Sequence, residues 1–251
     1  MIKNIVLEKI SYNFSQDPPI IDQLSYNFPF GKTIAILGHS GCGKSTLLQM
    51  ISGVLEPTVG KIKLNNCSNR LGKIAYMQQK DLLLPWLTVK ENVMLPYKII
   101  RNNDKNNFKD MLDKAKILGI EQYLDFFPNE LSGGLKQRAC LLRTILQNSE
   151  FILLDEPFAS LDSITRLELY SWIEKINKHI NKSIILVTHD IEEAIFLSDH
   201  VIIMSSGKNN FRYELPIDLP HPRNSNITIT DEFFNLKKLL LNNLRIVRSI
   251  D

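Results

Sequence analysis

Short apolar runs rich in β-branched residues alternate along this chain with segments whose apolar residues recur at helical spacing. Three of the runs have the length and composition of strands buried in a parallel sheet, and they span Thr33–Leu37, residues 151–154 and Ser183–Thr188. Residues 45–51 carry apolar side chains at helical spacing soon after the first run. This alternation of strand and helix patterns predicts an α/β fold.

The middle of the chain and its end have other patterns. Residues from about 88 to 135 predict a helical insert with a polar turn rich in Asn and Lys at 102–107. A segment with several prolines at 214–223 leads to a last predicted helix at 231–245. We therefore expect one domain over residues 1–223, with its core at about 1–87 and 136–223 and a helical subdomain at about 88–135, followed by a helical tail at 224–251.

The composition is that of an ordinary globular protein. Hydrophobic residues make up 44% of the 251 positions, and 30 Lys and Arg against 27 Asp and Glu give a net charge of +3, which is too small to indicate a nucleic-acid binder. Three cysteines, at 42, 67 and 140, lack the spacing of a metal site and favour a reducing compartment. No run reaches the roughly 20 apolar residues of a membrane-spanning helix, and the first residues have no signal-peptide pattern. We expect a soluble unit in the cytosol.

A glycine-rich loop joins the first apolar run to the helix after it. It fits the pattern G-x-x-x-x-G-K-[ST] with Gly38, His39, Ser40, Gly41, Cys42, Gly43, Lys44 and Ser45, and Thr46 follows. Glycines let successive backbone N–H groups point at phosphate oxygens, and the helix adds the positive end of its dipole. We expect Lys44 to contact the β- and γ-phosphates and the Ser45 hydroxyl to ligate Mg²⁺. The alternative is a glycine-rich turn that binds nothing.

Two acidic residues follow the second apolar run. Asp155 and Glu156 are therefore expected at the carboxyl end of a buried strand, where open α/β sheets bind ligands. There Asp155 would hold Mg²⁺, directly or through water, and Glu156 would orient and deprotonate the water that attacks a γ-phosphate. The alternative is a solvated acidic turn that caps the next helix.

Five blocks in this order and spacing resemble those of the ATP-binding cassette family. They are the glycine-rich loop, Gln79, residues 131–134 (Leu-Ser-Gly-Gly), residues 151–157 and His189. The resemblance covers residues 4 to about 223. It implies a P-loop NTPase domain with an antiparallel β subdomain and a helical insert, and it implies ATP and Mg²⁺ as cofactors.

The resemblance also implies roles for residues outside the loop. His189 would contact the γ-phosphate and hold the attacking water, whereas His179, His200 and His221 lack its context and are interpreted as ordinary surface or core histidines. Gln79 would reach Mg²⁺ and the water, with Gln78 as the alternative register. The signature residues Ser132, Gly133 and Gly134 would close on a nucleotide held by a second subunit. The block Ser160-Leu161-Asp162 would cross the seam between the two subunits, and the resemblance implies that Asp162 is one of the nucleotide-binding residues.

Adenine recognition is assigned to an aromatic residue near the start of the chain. Phe14 resembles the family's stacking aromatic, with Tyr12 as the second choice, and packing into a sheet is the alternative for either ring.

The resemblance extends to a subgroup that imports nitrate, sulfonates or taurine, and thiamine-precursor pyrimidines. The residues that carry it lie at 83–89, 155–158 and 217–223. It implies a pair of cassettes, identical or related, at the cytoplasmic face of a membrane. Membrane permease subunits would dock near residues 82–86, an external binding protein would act indirectly, and nucleic acid is not expected as a partner. An exporter subunit and a soluble cassette ATPase acting on nucleic acid or ribosomes are the alternatives. The transported molecule is not encoded in these motifs.

Overall fold

Two β-sheets and a set of helices form the protein. The computed structural model describes residues 3–14, 18–100, 105–159, 161–180, 182–207 and 209–248. The strands in chain order are β1 Asn4–Tyr12, β2 Ile21–Pro29, β3 Thr33–Leu37, β4 Val59–Leu64, β5 Ala75–Met77, β6 Phe151–Asp155, β7 Ser183–Thr188, β8 His200–Met204 and β9 Phe211–Pro216. The predicted α/β fold is confirmed.

The larger sheet carries the strands predicted from continuous apolar runs. Its order is β5-β6-β7-β3-β8-β9, and all neighbours are parallel except β8 and β9, which are antiparallel. Every residue of β3, β6 and β7 is buried, as expected of parallel strands covered on both faces. Their continuous apolar sequences follow from this double burial.

The smaller sheet is antiparallel, in the order β2-β1-β4. Its buried face contributes Ile5, Leu7 and Phe28 to a core that also includes side chains of β3 and of the helix after it. Aromatic contacts connect it to the edge of the larger sheet, where the ring of Phe211 lies 5.2 Å from that of Tyr26. The two sheets are therefore packed together around the start of the helix that follows β3.

The helices lie on both faces of the larger sheet and in the insert. They are α1 Lys44–Ser52, α2 Val89–Val93, α3 Leu95–Ile99, α4 Lys105–Ile117, α5 Gly133–Ile145, α6 Ser163–Ile180, α7 Ile191–Leu197 and α8 Asp231–Arg248. Thr88 begins α2 with a capping box to Glu91. Among the residues that the structure describes, no helix is long and apolar enough to cross a membrane.

The last helix, α8, packs into the main core. Phe233 and Leu240, one heptad apart, are buried in the same cluster as the sheet residues Leu154 and Leu186. The predicted helix over 231–245 is present and continues for three more residues. The helical tail is therefore attached to the sheet by its apolar side.

A buried polar cluster fixes the segment before α8. The guanidinium of Arg223 is buried and donates hydrogen bonds to the carbonyl oxygens of Ile195, Phe196, Ser198, Ile217 and Leu219. Glu174 accepts from the Arg223 backbone N–H at 3.1 Å and lies 2.7 Å from His221 Nδ1. The nearby carboxylates of Asp199 and Glu174 raise the pKa of His221 to about 9. The side chain of His179 lies outside the described part of α6.

Candidate active site

The carboxyl ends of β3, β6 and β7 bring the predicted site residues together. Leu37 pairs with Thr188 and Asp155 pairs with Val187 across the neighbouring strands. The glycine-rich loop directly follows Leu37, Glu156 directly follows Asp155, and His189 directly follows Thr188. They therefore share one edge of the sheet, as ligand sites in open α/β sheets do.

The glycine-rich loop has the backbone geometry that its glycines permit. Gly43 caps α1 with a φ of +99°, in the left-handed region that favours glycine. A Cβ at Gly38 would lie 2.4 Å from the carbonyl oxygen of Met204, at the end of β8. The loop is thus pressed against the sheet at one end and leads directly into a helix N-terminus at the other, a suitable place for an anion.

Lys44 is held inside this loop. Its side chain is buried, and Nζ donates to the carbonyl oxygens of Gly38 at 2.8 Å and His39 at 2.9 Å. The loop therefore closes around its own ammonium group, and phosphate oxygens could replace these carbonyls as acceptors. The remaining loop residues divide between exposed Ser40 and Gly41, partly buried His39 and Ser45, and buried Cys42 and Thr46.

Ser45 and Asp155 form the part of the site suited to a divalent cation. Ser45 Oγ donates to Asp155 Oδ1 at 3.0 Å, and the Tyr76 hydroxyl lies 3.4 Å from Asp155 Oδ2. Burial raises the pKa of Asp155, nearby Glu156 adds to the rise, and the Ser45 hydrogen bond opposes it. A cation bound here would favour the ionised carboxylate.

The chemistry of these donors fits Mg²⁺. The Ser45 hydroxyl, the Asp155 carboxylate and the Gln79 amide all offer oxygen, the ligand type that Mg²⁺ prefers. Within the described residues, no three His, Cys, Asp or Glu side chains are grouped as a metal site. The three side chains Ser45, Asp155 and Gln79 match an ion that takes most of its ligands from phosphates and water.

Glu156 lies at the meeting point of three polar side chains. Gln79 Nε2 and His189 Nδ1 each lie 3.4 Å from Glu156 Oε2, and Gln137 Nε2 donates to the Glu156 carbonyl at 3.3 Å. The residue has a φ of +48°, an unfavourable conformation for a side chain with a Cβ. Its N–H donates to the Val187 carbonyl at 2.9 Å, which holds the strained turn in place.

His189 is much more open than the carboxylate it faces. Its side chain is 62% exposed, against 19% for Glu156. The imidazole therefore projects from the strand end toward solvent, where a ligand on the loop could meet it. This arrangement can place a hydrogen-bonding group on each side of an attacking water.

The signature residues lie beside Gln79. Ser132 caps α5 and accepts from the Leu135 N–H at 3.4 Å, so α5 begins at Gly133. Gln79, Gly133 and Gln137 line one cavity of about 460 Å³. Ser132 also accepts the Lys136 N–H at its carbonyl oxygen, so both of these hydrogen bonds stay within its own helix.

Asp162 begins the helix that follows the acidic pair. Its Oδ1 accepts from the Thr165 N–H at 3.0 Å, in the manner of an N-cap. The adjoining Leu161 is buried, and its Cδ2 lies 2.9 Å from the position of a Cβ on Gly134. This segment therefore packs against the start of α5. Ser160, the first residue of the predicted block, lies outside the described residues.

Phe14 and Tyr12 lie at the end of β1, near the start of α1. Their rings make an edge contact at 5.0 Å; Tyr12 packs on the core of the small sheet, whereas Phe14 is 53% exposed. The Ile20 N–H bonds to the Tyr12 carbonyl, and Ile20 also lies 3.3 Å from where a Cβ on Gly43 would be. The open ring of Phe14 favours it over Tyr12 for stacking.

Two polar residues of this site were not predicted. Tyr76 contacts Asp155 from β5, and Gln137 contacts the backbone of Glu156 from α5. Gln137 lies five residues after Ser132, so its nearness to the signature was the available signal. Tyr76 gave no comparable signal, because a tyrosine in a short strand is ordinary in a sheet.

The C-terminal helix also reaches this edge of the sheet. Leu244 and Val247 of α8 line a cavity of about 620 Å³ together with Gly38, Ser40 and His189. The helical tail, which the motifs left without a role, thus forms a wall beside the glycine-rich loop.

Comparison with known proteins extends the resemblance found in the motifs. The ABC transporter family profile matches residues 21–159. The chain is similar to the formylaminopyrimidine import ATP-binding protein of Halalkalibacterium halodurans, with 40% identity over 82% of each chain. It is also similar to an aliphatic sulfonates import ATP-binding protein of Shouchella clausii, with 40% identity over 81% of this chain and 78% of that protein. A nitrate transport protein of Klebsiella oxytoca is 37% identical over 81% of this chain and 80% of its own length.

A solved structure agrees with these relatives. The fold is similar to the dimeric structure of a post-hydrolysis state of the ATP-binding cassette MJ0796 bound to ADP and Pi, with a TM-score of 0.76 and 28% identity. That match covers 86% of this chain and all of the other. The family profile spans more than half of the chain, and the predicted cassette fold, ATPase class and importer subgroup resemblance are confirmed. The chain belongs to the ABC transporter family and is an ATP-binding cassette ATPase.

Proposed function

We propose that this chain is the ATP-hydrolysing subunit of a membrane importer for a small solute. The observation that carries the catalytic part is the placement of Glu156 between Gln79 and His189 at the end of β6. The similarity to three import or transport proteins for small anions or heterocycles supports the transport part.

In this proposal Glu156 orients a water molecule and accepts its proton. Its Oε2 faces both the Gln79 amide and the His189 imidazole at 3.4 Å, so the three groups can define one position for the water. His189 would contact the γ-phosphate, and Gln79 would sense the nucleotide. Positioning and electrostatic stabilisation supply most of the catalysis in phosphoryl transfer.

Lys44, Ser45 and Asp155 hold the nucleotide's phosphates and the metal in this proposal. The backbone N–H groups of residues 38–43 and the first turn of α1 would bind phosphate oxygens, as helix N-termini do. Lys44 would exchange the Gly38 and His39 carbonyls for the β- and γ-phosphates. Mg²⁺ at Ser45 and Asp155, near the Gln79 oxygen, would neutralise charge on the phosphates. Phe14 would stack on adenine.

Two cassettes would complete each site. In the described structure Gly133 lines a cavity with Gln79, and Ser132 caps the helix that Gly133 begins. In this proposal Ser132, Gly133 and Gly134 close on a nucleotide held by a second copy or a related cassette, with Asp162 at the seam. The similarity to a dimeric cassette supports this arrangement.

The membrane partner would dock on an exposed apolar surface that follows Gln79 in sequence, which we call the docking patch (Leu82 and Trp86). Trp86 is 69% exposed, and Leu82 is 48% exposed. The backbone of this patch is held from two sides: Arg143 of α5 donates to the Leu82 carbonyl at 2.9 Å, and the buried Asn92 bonds to the Leu84 backbone. An exposed apolar patch on a rigid support is typical of a partner site. The chain would then lie at the cytoplasmic face of the membrane.

The substrate is tested by reconstitution. The chain is purified together with the membrane subunits it retains, placed in lipid vesicles with the matching external binding protein, and assayed for ATP hydrolysis. The panel contains nitrate, alkanesulfonates, taurine and formylaminopyrimidine. We expect one of these solutes to stimulate hydrolysis. Retention of a membrane partner without a response across the panel would contradict this substrate class, and failure to retain any membrane partner would favour a soluble role.

The docking patch is tested by a matched pair of substitutions. Trp86→Ala should reduce co-purification of the membrane subunits and leave the ATPase activity of the isolated chain unchanged. Ile229→Ala removes a similarly exposed apolar side chain from another part of the surface and should change neither. Equal retention of the membrane subunits by both variants would contradict the assignment of the patch.

A further inference from the structure

Arg166 connects two segments of the site through one side chain. Its Nη1 donates to Asp190 Oδ2 at 2.7 Å, and its Nη2 donates to the Leu161 carbonyl at 3.0 Å. Asp190 directly follows His189, and Leu161 directly precedes Asp162. A single guanidinium in α6 therefore bridges the turn that carries His189 and the segment expected at the seam between cassettes.

The turn at His189 is fixed on its other atoms as well. Asp190 Oδ1 accepts from the Glu192 and Glu193 N–H groups and caps α7. Thr188 Oγ1 accepts from the Asp190 N–H at 3.0 Å and donates to Glu193 at 2.9 Å. Because Oδ1 serves the cap, Oδ2 is the oxygen available to Arg166. A displacement of Arg166 would thus act on a rigid turn.

The other end of the bridge lies against the signature helix. Leu161 is buried and approaches Gly134 at the start of α5. Movement of α5 or of the 161–162 segment would therefore change the position of the carbonyl that Arg166 contacts. The bridge therefore joins the His189 turn to the two regions that a second cassette would meet, residues 161–162 and the start of α5.

An ion pair alone would not require arginine here. The Arg166 and Asp190 side chains are 26% and 28% exposed, and pairs with access to solvent usually add little to stability. A lysine could pair with Asp190, but its single nitrogen cannot reproduce the fork that also reaches Leu161. Burial raises the pKa of Glu193 to about 8. This neighbouring carboxyl is therefore largely neutral near pH 7 and does not compete with Asp190 for the Arg166 guanidinium.

We propose that Arg166 is a positioning residue that keeps the His189 turn in register with residues 161–162. Contact with a second cassette at the seam would then be transmitted to the imidazole that faces Glu156. This inference rests on the proposed role of His189 in ATP hydrolysis. Arg166 itself touches neither Glu156 nor His189 in the contacts described, so it acts through Asp190.

Two conservative substitutions separate the ends of the bridge. Arg166→Lys keeps the charge opposite Asp190 and removes the second bond to Leu161. Asp190→Asn keeps an oxygen for the α7 cap and removes the ion pair. We expect each to lower kcat about tenfold with KM for ATP within twofold, and with an unchanged denaturation midpoint. The double variant Arg166→Lys with Asp190→Asn should lose no more kcat than the less active of the two single variants, because both substitutions act on the same bridge.

Controls separate a failure of this inference from a failure of the proposed role of His189. Glu192→Gln removes an exposed ion pair with Lys237 from the same first turn of α7 and should leave kcat unchanged. His189→Ala should nearly abolish turnover; normal turnover in that variant would overturn the proposed role of His189 itself. If His189→Ala is inactive but Arg166→Lys and Asp190→Asn retain wild-type kcat, or lower only the denaturation midpoint, the positioning role is wrong while the proposed function stands.

Discussion

Two glutamate–histidine pairs lie in different parts of this protein and differ in nearly every physical respect. In one, Glu156 and His189 are 3.4 Å apart, and the imidazole is 62% exposed. In the other, Glu174 and His221 are 2.7 Å apart, and Glu174 also accepts the backbone N–H of Arg223. Both side-chain contacts of the Glu156 carboxylate are 3.4 Å long, whereas one oxygen of the Glu174 carboxylate accepts two closer donors.

The comparison shows that residue types alone do not define a catalytic pair. A carboxylate oxygen that already accepts two close donors cannot readily take a proton from water, because it would have to give up one of those donors. A carboxylate held by long contacts keeps acceptor capacity for a ligand, and such contacts often tighten only when substrate is bound. A similar distinction separates two of the buried cations, since Lys44 bonds to two loop carbonyls, while Arg223 bonds to five.

The largest expected effect comes from Glu156→Gln. The amide keeps the size of the side chain but cannot accept a proton, so turnover should fall by roughly 10²–10⁴, the usual contribution of a general base. Steady-state phosphate release measures this loss, and calorimetry should show retained ATP binding. The variant is also expected to form a stable ATP-bound dimer in size-exclusion chromatography. Near-normal hydrolysis would remove Glu156 from the role of base.

Lys44→Ala is expected to have the next largest effect. Loss of a charge-assisted contact of about 1.5–3 kcal/mol should weaken ATP binding roughly 10- to 100-fold. Titration calorimetry with Mg·ATP measures this change, and Lys61→Ala provides a control on an exposed part of β4. Unchanged nucleotide affinity in the Lys44 variant would count against the phosphate-loop assignment.

Glu174→Gln should have the opposite signature to Glu156→Gln. The substitution removes the negative charge from the oxygen that accepts both donors, so the charge-assisted contact with His221 is lost and the free energy of unfolding should fall by about 2 kcal/mol. Urea denaturation measures the loss, and kcat of the folded protein should stay near its original value. A drop in kcat with unchanged stability would show that the comparison between the two pairs is wrong.

The smallest expected effect is a dependence of stability on pH. The pKa of His221 is raised to about 9 in the folded protein, from 6.5, so its contribution is complete below about pH 6.5 and is lost as the pH rises through 9. Because the side chain is 42% exposed, solvent screening reduces the contribution to about 1 kcal/mol. Glu193, with a pKa of about 8, shifts stability in the same direction.

The His221 contribution is isolated by difference. The free energy of unfolding is measured from pH 6 to 9.5 for the original protein and for His221→Gln. The titration of Glu193 is common to both, so the gap between the two curves should narrow toward high pH. A constant gap would mean that the charge of His221 does not stabilise the fold.

Sequence patterns predicted the parts of the molecule that depend on local order. The strands β3 and β7 have their predicted bounds, and β6 extends one residue further, because continuous apolar runs report burial on both faces. Motif spacing also gave the positions that meet at the sheet edge, such as Lys44, Asp155 and His189. These are set by which residue ends which strand.

Contacts made by distant segments could not be predicted in the same way. Arg166 reaches Asp190 across 24 positions, and Glu174 reaches His221 across 47, so neither partner is visible in a local pattern. His221 was interpreted as an ordinary histidine, but the structure places it between two carboxylates. Strand β9 was not predicted although its residues alternate between partial burial and exposure, because its last residues fall in the proline-containing segment at 214–223.

Helix α8 connects the stability of the chain's last turns to the phosphate-binding edge. Phe233 and Leu240 are buried in the central core, and Leu244 and Val247 form a wall of the cavity beside Gly38 and His189. Local opening of the end of this helix would expose that edge to solvent, since the wall and the core contacts belong to one helix. Amide hydrogen exchange in the last two turns of α8 should therefore slow when nucleotide occupies the loop, which makes this helix a remote reporter of the state of the site.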